Sequence, residues 1–230
     1  MTTSLANNQA ARDAVLARTR RALGKSADRA QARADVEAYI EAHAHGPRPT
    51  MPADLVTRFI DRARDLQSTV ERLADPRELP AAVARYLSAV DARAESAVPA
   101  ARAGVCWPEF AGLDWHAAGL AIEARPTAGQ DRLGITGTFC AIAETGTLVL
   151  LPGEKWPTAT ALLPDTHVAV VRAERIVSGM EEAFGLVRSE RGRLPRAVNL
   201  ISGPSRTGDI EQTIVLGAHG PYQVHIIVLG

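Results

Sequence analysis

The spacing of apolar residues changes near residue 95. Before that point apolar residues recur at helical intervals among Arg, Asp and Glu, and β-branched residues are few. This pattern predicts a helical N-terminal section over residues 1–95. Its predicted helices are one that ends at Gly24, one over 28–44, one over 54–73 and one after the segment "DPRELP".

From residue 96 onward the apolar residues form short runs rich in Val, Ile, Thr and Gly. The segments "LAIEARP", at the start of this part, and "YQVHIIVLG", at its end, read as strands. Two more strands are expected in "GITGTFCAIAETGTLVLLPG", meeting at a turn near Gly146, because glycine tolerates the positive φ of a tight turn.

A strand, a helix and a second strand follow along the chain. The continuous apolar run 167–171 is typical of a strand covered on both faces, residues 174–190 favour a helix, and 198–202 favour the next strand. This order predicts a βαβ crossover in which the two strands lie parallel. The expected fold is α/β, a mostly parallel sheet flanked by helices over residues 96–230, preceded by the helical section.

Charge and hydropathy exclude some classes of protein. The chain has 230 residues, with 26 basic and 26 acidic side chains, and lacks the basic excess of a nucleic-acid-binding domain. No apolar run approaches the roughly 20 residues that cross a bilayer. The first segment is polar where a secretory signal has its apolar core. We therefore expect a cytoplasmic protein.

Cysteine and histidine spacing gives no metal motif. Cys106 and Cys140 are far apart and outside any CxxC, and the six histidines form no HExxH. Two cysteines cannot supply a four-thiolate cluster from this chain alone. We expect neither a metal nor another cofactor, and we expect both cysteines to be buried as small apolar residues.

The segment "AIAETGTLVLLPG" places Glu144 at a bend, with Thr145, Gly146 and Thr147 after it. A carboxylate held there among apolar neighbours can serve as an acid, a base or a nucleophile. The alternative is that Glu144 only accepts hydrogen bonds from the amides of the turn.

The segment "NLISGPSRTGDIE" brings polar groups to the end of a predicted strand, where ligands bind in open α/β sheets. Gly203 permits a close approach of the backbone, and Ser205 and Thr207 offer hydroxyl groups. Arg206 can donate two hydrogen bonds to one carboxylate or phosphate.

A helix that begins near Thr207 or Asp209 would add free amides to an anion site. The alternative is a turn in which Asp209 caps a helix and Arg206 pairs with Glu211. The segments contain neither a phosphate-binding loop GxxxxGK[ST] nor a dinucleotide motif GxGxxG.

The segment "GAHGPYQVHIIV" contains two histidines. His219 lies between small residues and is a candidate ligand contact, whereas His225 alternates with apolar strand residues and reads as structural. We expect Glu144, Arg206 and His219 to face one hollow at a rim of the sheet. Glu144 and His219 are the candidate catalytic residues, and the candidate substrate-binding residues are Thr145, Gly146, Thr147, Gly203, Ser205, Arg206, Thr207 and Asp209.

Four segments in order, "GITGTFCAIAETGTLVL", "LLPDTHVAVV", "NLISGPSRTGDIE" and "GAHGPYQVHIIVLG", resemble the LUD domain family and, within it, the lactate utilization protein C group. The resemblance is dense over about residues 100–230. It implies a fold similar to that of the NagB/RpiA/CoA-transferase group.

The resemblance also implies a function. Such proteins are associated with a bacterial system that oxidises L-lactate to pyruvate, together with an iron–sulfur protein and a second cysteine-rich subunit. This chain lacks the cluster cysteines, so the implied role is to bind a small carboxylate or the partner subunits rather than to carry a cluster.

Two other functions stay open at this point. CoA transferases of the same fold group use the glutamate of a Glu-Asn-Gly turn as acyl acceptor, and "AETGT" is similar, with Thr145 in the place of Asn. A stand-alone acyl- or CoA-transferase, or a sugar-phosphate-binding enzyme that uses Glu144, is therefore the alternative. A third hypothesis is a scaffolding protein whose helical section contacts partners, and the sequence leaves open whether the chain is an enzyme.

Overall fold

The computed structural model describes residues 2–24, 30–93, 100–210 and 213–230. The chain divides into two compact units, Met1–Arg48 and Pro49–Gly230. The first unit contains α1 (Thr2–Ala22) and α2 (Ala30–Ala42), in the two places where the apolar spacing predicts helices. No residue of α2 is buried.

The second unit contains the sheets. Its helices are α3 (Leu55–Asp65), α4 (Leu79–Ala92), α5 (Ala159–Leu162) and α6 (Met180–Arg191). Its strands are β1 (Thr69–Leu73), β2 (Ala103–Cys106), β3 (Ala121–Glu123), β4 (Leu133–Gly137), β5 (Cys140–Ile142), β6 (Thr147–Leu150), β7 (Thr166–Arg172), β8 (Ile176–Val177), β9 (Asn199–Ile201), β10 (Arg206–Ile210), β11 (Thr213–Leu216) and β12 (Gln223–Leu229). Among the described residues, no helix has both the length and the apolar character needed to span a membrane.

The main sheet has six strands in the order β1-β12-β7-β4-β2-β3. Every neighbouring pair in it is parallel. The central strands β12 and β7 are buried along nearly their whole length, as expected for parallel strands covered on both faces. Phe59 of α3 and Leu79 and Leu87 of α4 are fully buried in the same core. The predicted class, a mostly parallel α/β sheet flanked by helices after a helical N-terminal section, is confirmed.

A second sheet has four strands in the order β8-β5-β6-β9. Strands β5 and β6 form the predicted hairpin, and Gly146 takes a φ of 68° at its turn. Helix α6 packs on this sheet, where Cys140, Ile142, Val149 and Ala183 form a small separate core. Strands β10 and β11 form an antiparallel pair of their own.

The helix predicted over residues 54–73 is wrong in its second half. Helix α3 ends at Asp65, and Gln67 takes a left-handed φ of 68°. The amide of Ser68 donates to the carbonyl of Ala63 and that of Gln67 to the carbonyl of Arg64, which is the Schellman pattern of a helix end. Residues Thr69–Leu73 then pair with the free edge of β12, so tertiary pairing overrides the local helical spacing.

The predicted βαβ crossover is also wrong. Strand β9 pairs antiparallel with β6 in the four-stranded sheet, while β12 is the neighbour that continues beside β7. Strand β9 has only three residues, and Leu200 is 43% exposed. Such a strand suits an edge position, whereas the longer β12, which is mostly apolar and buried at five of its seven positions, fills a place covered on both faces.

The expected boundary at residue 95 differs from the contact pattern. Residues 49–93 belong to the same compact unit as the sheets, because β1 pairs with β12 and α4 packs in the main core. The division into a helical section over residues 1–95 and an α/β domain over residues 96–230 stays a prediction.

Candidate functional site

The antiparallel pairing of β6 with β9 brings two of the predicted segments together. Leu148 lies opposite Ile201, which places Thr147 beside Ser202. Their hydroxyl oxygens are 2.7 Å apart, and the hydroxyl oxygens of Thr145 and Thr147 are also 2.7 Å apart. We call Thr145, Thr147 and Ser202 the hydroxyl chain.

Two glycines of these segments pack against the end of α3. A Cβ atom on Gly146 would lie 2.6 Å from the amide nitrogen of Ala63, and one on Gly203 would lie 2.2 Å from the carbonyl oxygen of Leu66. Both glycines have positive φ, 68° and 80°. Close packing on the helix therefore requires glycine at both positions, independently of any ligand.

Arg206 also lies at the end of α3. Its Nη2 atom donates to the carbonyl oxygen of Leu66 at 2.6 Å, a favourable place for a cation because the carboxyl end of a helix is negative. Arg206, which the sequence predicts to bind a ligand, thus uses at least one donor of its guanidinium to stabilise the fold.

The helix expected near Thr207 or Asp209 is wrong. Residues Arg206–Ile210 form β10, in which Thr207 lies opposite Val215. The segment therefore offers no free helix amides to an anion. The side chain of Asp209 and residue Glu211, and with them the expected cap and the pairing with Arg206, lie outside the described residues.

Glu144 and His219 occupy different surroundings. Glu144 is half-buried, and its backbone amide donates to the carbonyl of Ser178 at 3.0 Å. His219 is exposed. Its neighbour Gly220 lies on Ser205, since a Cβ there would be 3.2 Å from the Cβ of Ser205.

The backbone fixes Ser205 against the segment that carries His219. The amide of Ser205 donates to the carbonyl of Pro221, and the amide of Gly217 donates to the carbonyl of Ser205, both at 2.9 Å. The structure thus joins Thr145–Thr147 with Ser202–Arg206 around the end of α3, and it joins Ser205 with residues 217–221.

A cavity of about 300 Å³ opens beside this region. The cavity adjoins the end of α3, where Arg206 donates to Leu66, because Gln67 and Pro204 belong to its lining. It lies at the amino ends of β1 and β12, whereas the ligand hollow was expected at carboxyl ends of strands. Its lining residues are Gln67, Thr69, Tyr86, Val90, Arg93, Pro204, Leu216, Tyr222, Gln223 and Val224; we call it the Arg93 cavity.

Polar side chains form one wall of the Arg93 cavity. The hydroxyl of Tyr86 donates to Oε1 of Gln223 at 3.3 Å. The ring of Tyr86 stacks on His225, with centroids 4.1 Å apart, and Nδ1 of His225 is 2.8 Å from Oγ1 of Thr69. Burial lowers the pKa of His225 to about 4, so this imidazole is neutral at physiological pH, in agreement with its predicted structural role.

Arg93 is the charged residue of the cavity lining. It follows the last turn of α4 and is exposed, and the lining residues within the described part of the chain include no Asp or Glu. A cation among neutral polar groups attracts an anion. Sequence reasoning missed Arg93 because its neighbours in sequence are mixed acidic and basic residues, which read as a solvated surface.

A second cavity of similar volume lies next to the first and shares Val90, Leu216, Tyr222 and Gln223 with it. Its charged groups, Arg132 and Asp165, form an ion pair with Nε and Oδ2 at 2.7 Å. Because its cation is already paired, this cavity attracts an anion less than the Arg93 cavity does.

Both cysteines are buried and free, as the sequence predicts. Burial raises the pKa of each thiol to about 11. A buried protonated thiol is a poor nucleophile and a poor metal ligand. Within the described residues, no group of three or more His, Cys, Asp or Glu side chains is placed to hold a metal ion.

Known proteins match most of the chain. The family model of the LUD domain matches residues 56–229. The lactate utilization protein C of Deinococcus radiodurans is 32% identical over 191 residues, which cover 80% of this chain and 84% of that protein. Proteins of the same name from Geobacillus sp. (strain WCH70) and Bacillus subtilis (strain 168) are 37% and 35% identical, over 44% of this chain in each case. The matched region spans less than half of those two relatives, 43% of each.

A solved structure agrees with this assignment. The crystal structure of a DUF162 family protein from Deinococcus radiodurans matches with a TM-score of 0.52 and 27% identity. The match covers 79% of this chain and all of that one. The chain belongs to the LUD domain family and, within it, to the lactate utilization protein C group.

Proposed function

We propose that this protein is a component of a bacterial system that oxidises L-lactate to pyruvate, and that it binds a small carboxylate in the Arg93 cavity. Relatives named lactate utilization protein C support the first part. The observation that carries the second part is the lining of the cavity, which, among the residues that the structure describes, combines one guanidinium with neutral polar groups and no carboxylate.

Lactate and pyruvate each carry a carboxylate next to a hydroxyl or a carbonyl group. In the proposed complex, Arg93 donates two hydrogen bonds to the carboxylate. The amide of Gln223, which is positioned by the hydroxyl groups of Tyr86 and Thr166, binds the neighbouring oxygen. The protein acts as the ligand-binding component, and partner subunits with iron–sulfur clusters carry the electrons.

The site predicted around Arg206 is the competing location for the same ligand. There the ligand would contact Arg206, the hydroxyl chain and His219, and Glu144 directly precedes Thr145 of the hydroxyl chain. Arg206 already donates to Leu66, which is why we place the carboxylate at Arg93 instead.

Isothermal titration of the purified full chain with L-lactate and with pyruvate distinguishes the two locations. We expect Arg93→Ala to weaken binding at least about tenfold, since hydrogen bonds to a charged partner contribute about 1.5–3 kcal/mol. Arg206→Ala should bind nearly as the wild type does.

The matched control is Arg72→Ala. Arg72 also donates from Nη2 to a backbone carbonyl, that of Gly230, at 3.2 Å, but does not line the Arg93 cavity. Loss of binding in Arg206→Ala alone would move the site to the end of α3. Equal affinities in all four proteins would refute both locations.

The cellular role has a separate test. Deletion of the gene should abolish growth on L-lactate as carbon source, and the wild-type gene should restore it. Restoration by Arg93→Ala would show that the cavity is not needed, and normal growth of the deletion strain would refute the role in lactate oxidation itself.

A further inference from the structure

The order of strands in the main sheet reverses between β2 and β4. Strand β3, which follows β2 in the chain, lies on one side of β2, whereas β4, β7 and β12 follow one another on the other side. In open parallel sheets, ligands bind outside the carboxyl ends of the strands at such a reversal. Here these ends are Cys106 of β2 and Gly137 of β4.

A carboxylate lies at this point. Glu109 belongs to the short helical turn Pro108–Phe110 after β2. Its Oε1 atom lies so close to Gly137 that a Cβ there would be 1.9 Å from it. The absence of a side chain at Gly137 is therefore what lets Glu109 reach the carboxyl end of β4.

An indole covers the same carboxylate. Nε1 of Trp156 donates to Oε2 of Glu109 at 3.1 Å, and Trp156 is still 38% exposed. Two contacts hold the loop that carries Trp156. Gly153 and Trp156 form a backbone bridge, and Nε1 of Trp107 donates to the carbonyl of Pro157 at 3.3 Å. Trp156 therefore offers a positioned aromatic surface beside Glu109.

Burial and its neighbours act in opposite directions on the pKa of Glu109. Partial burial of the carboxyl group raises the pKa of Glu109, and the hydrogen bond from Trp156 and the charge of Arg172 oppose this rise. Arg172 ends β7, the strand next to β4, and its side chain is 72% exposed. Its Nη1 atom lies 3.7 Å from Oε1 of Glu174, and such a long, exposed ion pair contributes little and leaves the guanidinium accessible to an anion. A hydrogen-bond acceptor, an aromatic face and a cation thus meet at the reversal of the sheet.

We propose that this carboxyl-end site binds a mononucleotide. The ribose hydroxyls donate to Glu109, the base stacks against Trp156, and Arg172 binds the phosphate. A free nucleotide and the nucleotide end of a larger cofactor present the same chemistry. The site is independent of the proposed carboxylate cavity, which lies at the amino ends of β1 and β12.

The test uses two ligands that differ only in the groups assigned to Glu109. Adenosine monophosphate (AMP) and its 2′,3′-dideoxy analogue are titrated into the full chain, with tryptophan fluorescence and calorimetry as readouts. The wild type should bind AMP about tenfold more tightly than the analogue, the size expected for hydrogen bonds to a charged acceptor. Glu109→Gln should bind both about equally.

Control variants separate this role from a structural one. Glu123→Gln changes a carboxylate at the carboxyl end of β3 and should keep the preference for AMP. Trp156→Phe should abolish most of the fluorescence change. Arg172→Ala should weaken AMP but leave adenosine unchanged. Thermal unfolding of each variant confirms that it is folded.

The outcomes decide the proposal. Equal affinity of the wild type for AMP and its analogue, no binding at millimolar AMP, or equal competition by inorganic phosphate would overturn it. Titration with NAD⁺, which contains the AMP unit, distinguishes the two sources: tighter binding than AMP indicates a larger cofactor, and weaker binding indicates a free nucleotide.

Discussion

Burial shifts the pKa values of ionisable groups in opposite directions at the two ends of the parallel strands. At the amino ends, His167 and His225 are almost fully buried, and burial lowers the pKa of each to about 4. At the carboxyl ends, burial raises the pKa of Glu109. Burial disfavours the charged form in each case, so the imidazoles stay neutral while the carboxyl group takes up its proton more readily.

The packing behind these groups differs too. Gly134, near the start of β4, faces backbone: a Cβ there would be 2.0 Å from the carbonyl oxygen of Thr160. At Gly137, at the end of the same strand, the three atoms nearest to such a Cβ all belong to the side chain of Glu109. A side chain can move aside and a packed backbone cannot. The amino end is therefore part of the rigid core, whereas the carboxyl end can adapt to a ligand.

The largest effect should come from acidification. An imidazole with a pKa of about 4 in the folded chain and about 6.5 in the unfolded chain contributes stability that is complete above about pH 6.5. This contribution, about 3 kcal/mol for each histidine, is lost as the pH falls toward 4. Glu109 has the opposite sign, because its raised pKa favours the folded state at low pH.

Urea unfolding followed from about pH 7 to about pH 4 measures this dependence. His225→Gln should show a shallower decline than the wild type. His219→Gln is the matched control, since His219 is exposed, and it should follow the wild-type curve. A wild-type midpoint that stays constant between these pH values would contradict the neutral buried imidazoles.

The next effect separates the two glycines of β4. Gly134→Ala should lower the free energy of unfolding by about 3 kcal/mol, the upper range for overpacking a core. Gly137→Ala should cost less, about 1 kcal/mol, because the nearest atoms belong to the side chain of Glu109, which can move. Urea denaturation of both variants checks this order, and a larger loss in Gly137→Ala would mean that the carboxyl end is the more rigid one.

The smallest effect concerns one hydroxyl group at each end. Thr69→Val should cost about 1–2 kcal/mol, because it removes the partner of His225 Nδ1 and leaves a buried nitrogen unpaired. Thr138→Val removes a hydroxyl that donates to the carbonyl of Val170 at 3.1 Å and should cost about 0.5–1 kcal/mol. Thermal unfolding of the two variants measures both losses of stability. Equal losses in Thr69→Val and Thr138→Val would contradict the prediction.

Much of the fold follows from local patterns. The apolar runs of β7 and β12 predict buried strands, and the turn at Gly146 is placed correctly because glycine adopts a positive φ without steric cost. The strand at Thr69–Leu73 could not be predicted, because its apolar spacing continues that of α3. Only the open edge of β12, more than 150 residues later, gives this segment its conformation.

The candidate sites divide in the same way. Polar segments around Glu144 and Arg206 were visible in the sequence, and the pairing of β6 with β9 joins them. Arg93 and Glu109 were missed, since each stands among ordinary charged or loop residues. What distinguishes them is a neighbour distant in sequence: Gln223 and Thr69 in the cavity of Arg93, and Gly137 beside Glu109.

From the sequence come the α/β class, the family and strands such as β7 and β12, because periodicity, turn glycines and ordered motifs are local properties. The tertiary structure alone decided which strands are neighbours, where the helix at Asp65 stops and which charged groups face a cavity. These features depend on contacts between segments far apart in the chain. Burial then lowers the pKa of His225 and raises that of Glu109.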